Sequence, residues 1–126
     1  MMNFKENNKA IFIQIADRIC DEILSGDLVS GQRIPSVRVY ASSIEVNSNT
    51  VMRAYEYLAS REILFNKRGI GFFVADDARG VVDRMRRSDF IEGELEDVFK
   101  QLALLGVGPD ELKEKYNSYL KTNQNK

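Results

Sequence analysis

The sequence contains no histidine, no tryptophan, one cysteine and two prolines. Without histidine there is no Ser-His or Cys-His nucleophile pair, no imidazole acid–base catalyst and no His-ligated zinc. The single Cys20 cannot form an internal disulfide and cannot by itself make a thiolate metal site. Long apolar runs are also missing: no stretch approaches the ~20 residues of a membrane span. Met1 to Asn8 is polar, without the apolar segment of a signal peptide. These absences predict a cytoplasmic, non-enzymatic protein with no cofactor, no metal and no membrane partner. Glu92, Glu94, Glu96 and Asp97 form the only dense acidic run, and at adjacent helical positions they read as a solvated face.

What is present is a chain of 126 residues, long enough for one compact domain or a small domain with an appendage. The net charge is −1, with nine basic and nine acidic residues in 1–76 and nine and ten in 77–126. The average neither requires nor forbids a nucleic-acid partner, because binding needs a basic face and not a basic mean. Between Leu28 and Tyr55 stand Arg33, Arg38 and Arg53 against one acid, Glu45, and Lys67-Arg68 follows beside Gly69.

Periodicity organises the rest. Phe12, Ile15, Ala16, Ile19 and Ile23 make one stripe of a helix that Gly26 ends, with Cys20 at its edge. Residues 27–34 read as a loop. Pro35-Ser36 opens a short second helix with Val37, Tyr40, Ala41 and Ile44 on one face. Glu45-Val46-Asn47 is a turn, and Asn47 or Ser48 caps a third helix whose apolar face is Val51, Ala54, Tyr55 and Leu58. Two helices joined so closely have helix-turn-helix spacing. Ile63–Asn66 and Ile70–Val74 flank Lys67-Arg68-Gly69 as a two-stranded hairpin.

The order predicts a mainly α protein with a small β-hairpin (α+β), a winged helix-turn-helix over 9–76. A two-helix dimerisation appendage follows over 77–121, with flexible ends at 1–8 and 122–126. The first appended helix carries Val82, Met85, Ile91, Leu95, Val98, Leu102 and Leu105, and from Ile91 the steps of four and three make a seam for a partner helix. These seven are the expected dimer contacts, since such a seam would otherwise be exposed apolar surface. Pro109-Asp110-Glu111 opens the last helix, whose face is Leu112, Tyr116, Tyr119 and Leu120.

Residues 11–74 resemble the winged-helix domain of GntR-type bacterial transcription regulators. The resemblance is carried by Gln14-Ile15, Gly31, Arg33-Ile34-Pro35-Ser36-Val37-Arg38, Val46-Asn47-Ser48-Asn49-Thr50-Val51, Arg53-Ala54-Tyr55 and Arg68-Gly69-Ile70-Gly71-Phe72-Phe73-Val74. The short remainder is similar to the YtrA-type subgroup, which has two C-terminal helices in place of a large ligand domain. The resemblance implies a homodimeric, sequence-specific binder of double-stranded DNA, a repressor on a pseudo-palindromic operator, and leaves room for an unidentified small-molecule effector at the dimer interface.

On that reading the DNA-binding residues are Ser36, Arg38, Asn47, Ser48, Asn49, Thr50, Arg53, Lys67, Arg68 and Gly69. Small polar residues at the start of a recognition helix can meet base edges and phosphates in the major groove. A cationic hairpin tip can enter the minor groove. The same residues also make good caps, turns and solvated charges. The family often has Pro or Arg where Ser48 stands, so an arginine contact at that point is missing here. A second reading is a winged-helix protein-interaction module without specific DNA binding.

Overall fold

The computed structural model describes residues 9–123; the terminal segment 1–8 and residues 124–126, expected as flexible ends, lie outside the described residues. Helix α1 is Ile11–Ser25, α2 Val37–Ile44 and α3 Ser48–Ser60. Strands β1 (Leu64–Lys67) and β2 (Gly71–Val74) follow, then α4 (Ala78–Asp89), a π-helical turn at Phe90–Glu94, α5 (Leu95–Leu105) and α6 (Pro109–Asn123). The chain divides into two compact units, 1–85 and 86–126.

The first unit is built around the stripe of α1. Ile15, Ile19 and Ile23 are buried together with Val51, Ala54, Tyr55 and Leu58 of α3 and Ala41 and Ile44 of α2. Each fully buried aliphatic side chain of this kind contributes roughly 1.5–3 kcal/mol. Cys20 lies in the same core. Gly26 ends α1 in the left-handed conformation, φ 89°, which glycine adopts without a Cβ penalty.

The hairpin pairs antiparallel, Leu64 opposite Val74 and Lys67 opposite Gly71. The segment expected as a plain loop adds to it. Gly31 N–H donates to Val74 O (2.8 Å), Val74 N–H to Gln32 O (2.9 Å) and Ile34 N–H to Phe72 O (3.0 Å). Residues 31–34 therefore satisfy the outer edge of β2. Gly31 and the two polar residues after it hide the strand signal, because the pairing is short and only Ile34 is buried.

The helix after the wing also begins earlier than its periodicity suggests. Ala78 and Val82 are fully buried in the first unit's core and Met85 is half-buried against it. Val82 and Met85 were expected at the dimer interface. Val82 has no exposed surface to offer a second copy, and Met85 is committed largely to its own domain. Both are better read as the last core layer of the winged helix, whose boundary moves from 76 to 85.

In the second unit the helix is not uniformly α. Leu95 N–H donates to Phe90 O, five residues back, around Gly93. A poor helix former at mid-helix is a natural place for such a bulge. Ile91 falls inside the π turn, so the seam within α5 consists of Leu95, Val98, Leu102 and Leu105, with Phe99 on the same side by helical phase. Gly106 ends α5 at φ 74°. Helix α6 runs two residues beyond the expected end at 121: Thr122 Oγ1 donates to Ser118 O and Asn123 Nδ2 to Tyr119 O. No residue of α5, α6 or the π turn is buried. An open apolar groove of about 770 Å³ is lined by Phe90, Leu95, Phe99, Pro109, Leu112 and Tyr116 among others.

Candidate nucleic-acid interface

Helix α2 starts at Ser36, whose Oγ accepts from Val39 N–H at 3.2 Å. It ends at Glu45, which takes the left-handed conformation (φ 58°, ψ 47°), and Val46 N–H returns to Ala41 O at 3.0 Å. Asn47 Oδ1 then accepts from Asn49 N–H at 2.8 Å and starts α3. The side-chain oxygens of Ser36 and Asn47 are thus engaged as helix caps, which is the ordinary work of Ser and Asn at these positions. Ser48 and Asn49 are exposed, and Thr50 is half-buried.

At 100° per residue, the face of α3 opposite Val51, Ala54, Tyr55 and Leu58 carries Asn49, Met52, Arg53 and Glu56, with Ser48 at its end. All five are exposed. Met52 is an apolar residue one position off the buried stripe, in an otherwise polar face. Arg53 lies over the ring of Phe12, 4.2 Å from guanidinium carbon to centroid, and Phe12 meets Tyr57 edge-on at 6.0 Å. The Arg53 guanidinium is therefore held against an aromatic ring of α1. On α2, Arg38 is exposed on the side away from Ala41 and Ile44.

At the wing, Ile70 N–H donates to Lys67 O at 2.9 Å, closing a turn in which Gly69 has φ 81°. Arg68 stands exposed at the tip. Lys67 Nζ lies 4.8 Å from the ring centroid of Phe73 and 5.9 Å from that of Phe65, and these two rings stack at 5.5 Å. Arg33 braces the hairpin from behind: its Nη2 donates to Ile70 O. A Cβ at Gly71 would meet Arg33 Nε at 3.1 Å, so the brace and the glycine fit as a pair. Arg33 is thus a positioning residue of the wing.

Tyr55 ties these parts together. Its hydroxyl donates to Pro35 O at 2.7 Å, at the entrance of α2. Its ring meets Phe72 of the wing at 5.2 Å and Tyr40 of α2 at 5.9 Å, both edge-on. Burial pushes the hydroxyls of Tyr40 and Tyr55 up from their ordinary ionisation range, so both stay neutral. The entrance of α2, the body of α3 and strand β2 are therefore fastened to one another through one side chain. Arg38, Ser48, Asn49, Lys67, Arg68 and Gly69 ride on that fastened frame. The candidate contacts Val98, Leu105 and Ile91 are exposed, and Leu95 and Leu102 half-buried, in the second unit.

Three helices closed by a hairpin, with a polar helix start and a cationic hairpin tip, define a winged-helix DNA-binding protein. Comparison with known proteins narrows the class. Residues 13–74 match the family described as bacterial regulatory proteins, gntR family. The chain is 36% identical over 115 residues to the HTH-type transcriptional regulator YhcF of Bacillus subtilis, spanning 90% of this chain and 93% of that protein. It is 30% identical over 95 residues to the HTH-type transcriptional repressor YtrA of Bacillus subtilis, spanning 75% and 67%.

Among solved structures, a GntR-family transcriptional regulator from Bacteroides thetaiotaomicron superposes with TM-score 0.79 at 48% identity, over 90% of this chain and 98% of that one. YtrA from Sulfolobus acidocaldarius superposes with TM-score 0.57 at 25% identity, over 98% and 99%. The chain belongs to the GntR family and is of the YtrA type. It is a DNA-binding transcription regulator and not an enzyme. No helix among the described residues is long and apolar enough to cross a membrane.

Proposed function

We propose that the chain is a transcriptional repressor that binds a pseudo-palindromic operator as a homodimer. The observation that carries the DNA contact is the solvent-facing start of α3, where Ser48 and Asn49 stand exposed while Asn47 alone serves the cap. The side-chain amide of Asn49 can pair bidentately with adenine. Arg38 supplies a base or phosphate contact from α2. Arg68 and Lys67 supply minor-groove or phosphate charge from the wing. Ser36 and Asn47 act more through the helix starts they cap, and Thr50 stands half-buried beside them. Repression is named for YtrA of Bacillus subtilis, and this chain would act in the same sense. The second copy is supported by Ile91, Val98 and Leu105, apolar side chains left exposed beside a groove.

Selection of bound sites from random duplex DNA, followed by footprinting and a solution mass, tests the whole reading. Two symmetric protections about 34 Å apart and twice the chain mass are expected. Arg38→Ala is expected to lose about 1–3 kcal/mol on the selected site, and Arg68→Ala to weaken all sequences alike and lower the salt slope by about one. A monomer on one unpaired half-site sinks the dimer. Retention that ignores salt sinks the DNA role and favours a protein-docking module.

A further inference from the structure

Met52 is 39% exposed on α3, and its neighbours on that face are Ser48 and Asn49 one turn before and Glu56 one turn after. An isolated exposed apolar side chain is unremarkable on most surfaces. Here it occupies the face that would enter the major groove, at the depth where a second base pair is read. From Asn49 to Met52 the helix rises about 4.5 Å, against ~3.4 Å per base pair. If Asn49 meets one pair, Met52 lies over the next one inward. Its side chain carries no N–H or O–H donor, and its thioether is only a weak acceptor. The C5 methyl of thymine is the apolar feature of the four bases in that groove. Glu56, a further turn along, would face the phosphates with like charge, so the reading face ends there. Arg53 beside it is held over Phe12 and leaves this part of the groove to Met52.

We infer that Met52 is a specificity-determining residue that reads a thymine methyl in each half-site, next to the base pair met by Asn49. The inference rests on the DNA-binding reading above.

The test uses the full chain and the selected operator, with each thymine replaced in turn by deoxyuridine, which differs only in lacking the methyl. Burial of one methyl predicts a three- to fivefold loss for the wild type, roughly 0.8 kcal/mol, at one position per half-site. Met52→Ala is expected to bind the unmodified operator that much more weakly and to be indifferent to the replacement at that position. Met52→Leu keeps both affinity and sensitivity, and an unchanged thermal midpoint in both variants shows that the fold is intact. The proposal is overturned if Met52→Ala retains wild-type affinity, or retains every deoxyuridine loss of the wild type. Selective duplex binding by the wild type with either result confines the failure to Met52; no selective binding by the wild type overturns the DNA reading and this inference with it.

Discussion

The two units of the chain use the same material differently. Up to Met85, apolar stripes on α1, α2 and α3 close on one another and on the wing, and Ile15, Val51, Tyr55, Leu58 and Val82 are fully buried. From Arg86 onward no residue of a regular element is buried, although Phe90, Ile91, Val98, Phe99 and Leu105 are as apolar as the core side chains of the first unit. Leu105 is 75% exposed. The difference is one of partners and not of composition. A stripe becomes a core only when other stripes surround it, and two short helices cannot surround each other. The first unit is specified by its own sequence; on the proposed dimer, the second is specified together with the copy that covers it.

The largest effect is expected where that dependence is cut. Introducing Val98→Glu and Phe99→Glu together places two charges on the seam of α5. Sedimentation should then give a monomer, far-ultraviolet circular dichroism should show lost helix, and operator affinity should fall by at least about 100-fold as the two half-sites lose their linkage. Binding to a single half-site should change little, because the winged helix is untouched. A double variant that remains a dimer would show that α5 is not the contact and that the two units differ for another reason.

A middle-sized effect is expected in the first unit from Tyr55→Phe. The ring stays, but Pro35 O loses its donor, at a cost of about 1–3 kcal/mol. The change should also alter the pH dependence. The unfolded tyrosines ionise near 10, whereas burial raises Tyr55 and Tyr40 in the fold. Above that pH the unfolded chain binds fewer protons than the native one, so stability is complete below about 10 and falls as pH rises further. Urea unfolding followed from pH 7 to 11 should show this alkaline loss in the wild type and a shallower one in Tyr55→Phe. An equal loss in both would remove Tyr55 as the buried phenol that matters.

Much of this architecture was legible in the sequence because its signals are local. The stripe of α1, the caps Ser36 and Asn47 and the glycine at the wing tip each follow from spacing within a few residues. The departures come from longer range. Residues 31–34 pair with β2 only because the wing returns beside them. Val82 belongs to the winged-helix core, yet it lies in the same helical pattern as the seam, and periodicity alone does not say which body a stripe faces. The π turn at Phe90–Glu94 shifts Ile91 out of the α5 register without changing the apolar count. At the candidate site, residue type singled out Arg38, Ser48, Asn49 and Arg68, all of which the structure leaves exposed. It did not give the engagement of Arg53 with Phe12 or the brace of Arg33 on the wing, because both partners are remote in sequence.

The smallest effect sharpens the same contrast from inside the first unit. Glu45 and Glu62 are the non-glycine residues with positive φ among those described, 58° and 64°. A side chain in this conformation costs about 1 kcal/mol or more, and glycine removes that cost while adding freedom to the unfolded chain worth about 0.4–1 kcal/mol. Glu45→Gly and Glu62→Gly should each raise stability by no more than about 1 kcal/mol, read by thermal unfolding. They should diverge on DNA. Glu45 stands two residues before the cap of α3, so its removal takes a negative charge from beside the proposed phosphate contacts and should tighten binding, more at low salt than at high. Glu62 lies beyond the far end of α3, and its removal should leave binding as it was. Neither should change the solution mass, since strain relieved within a self-sufficient core has no route to the proposed dimer seam of α5. Equal effects of the two variants on DNA would mean that the start of α3 is no closer to the phosphates than its end.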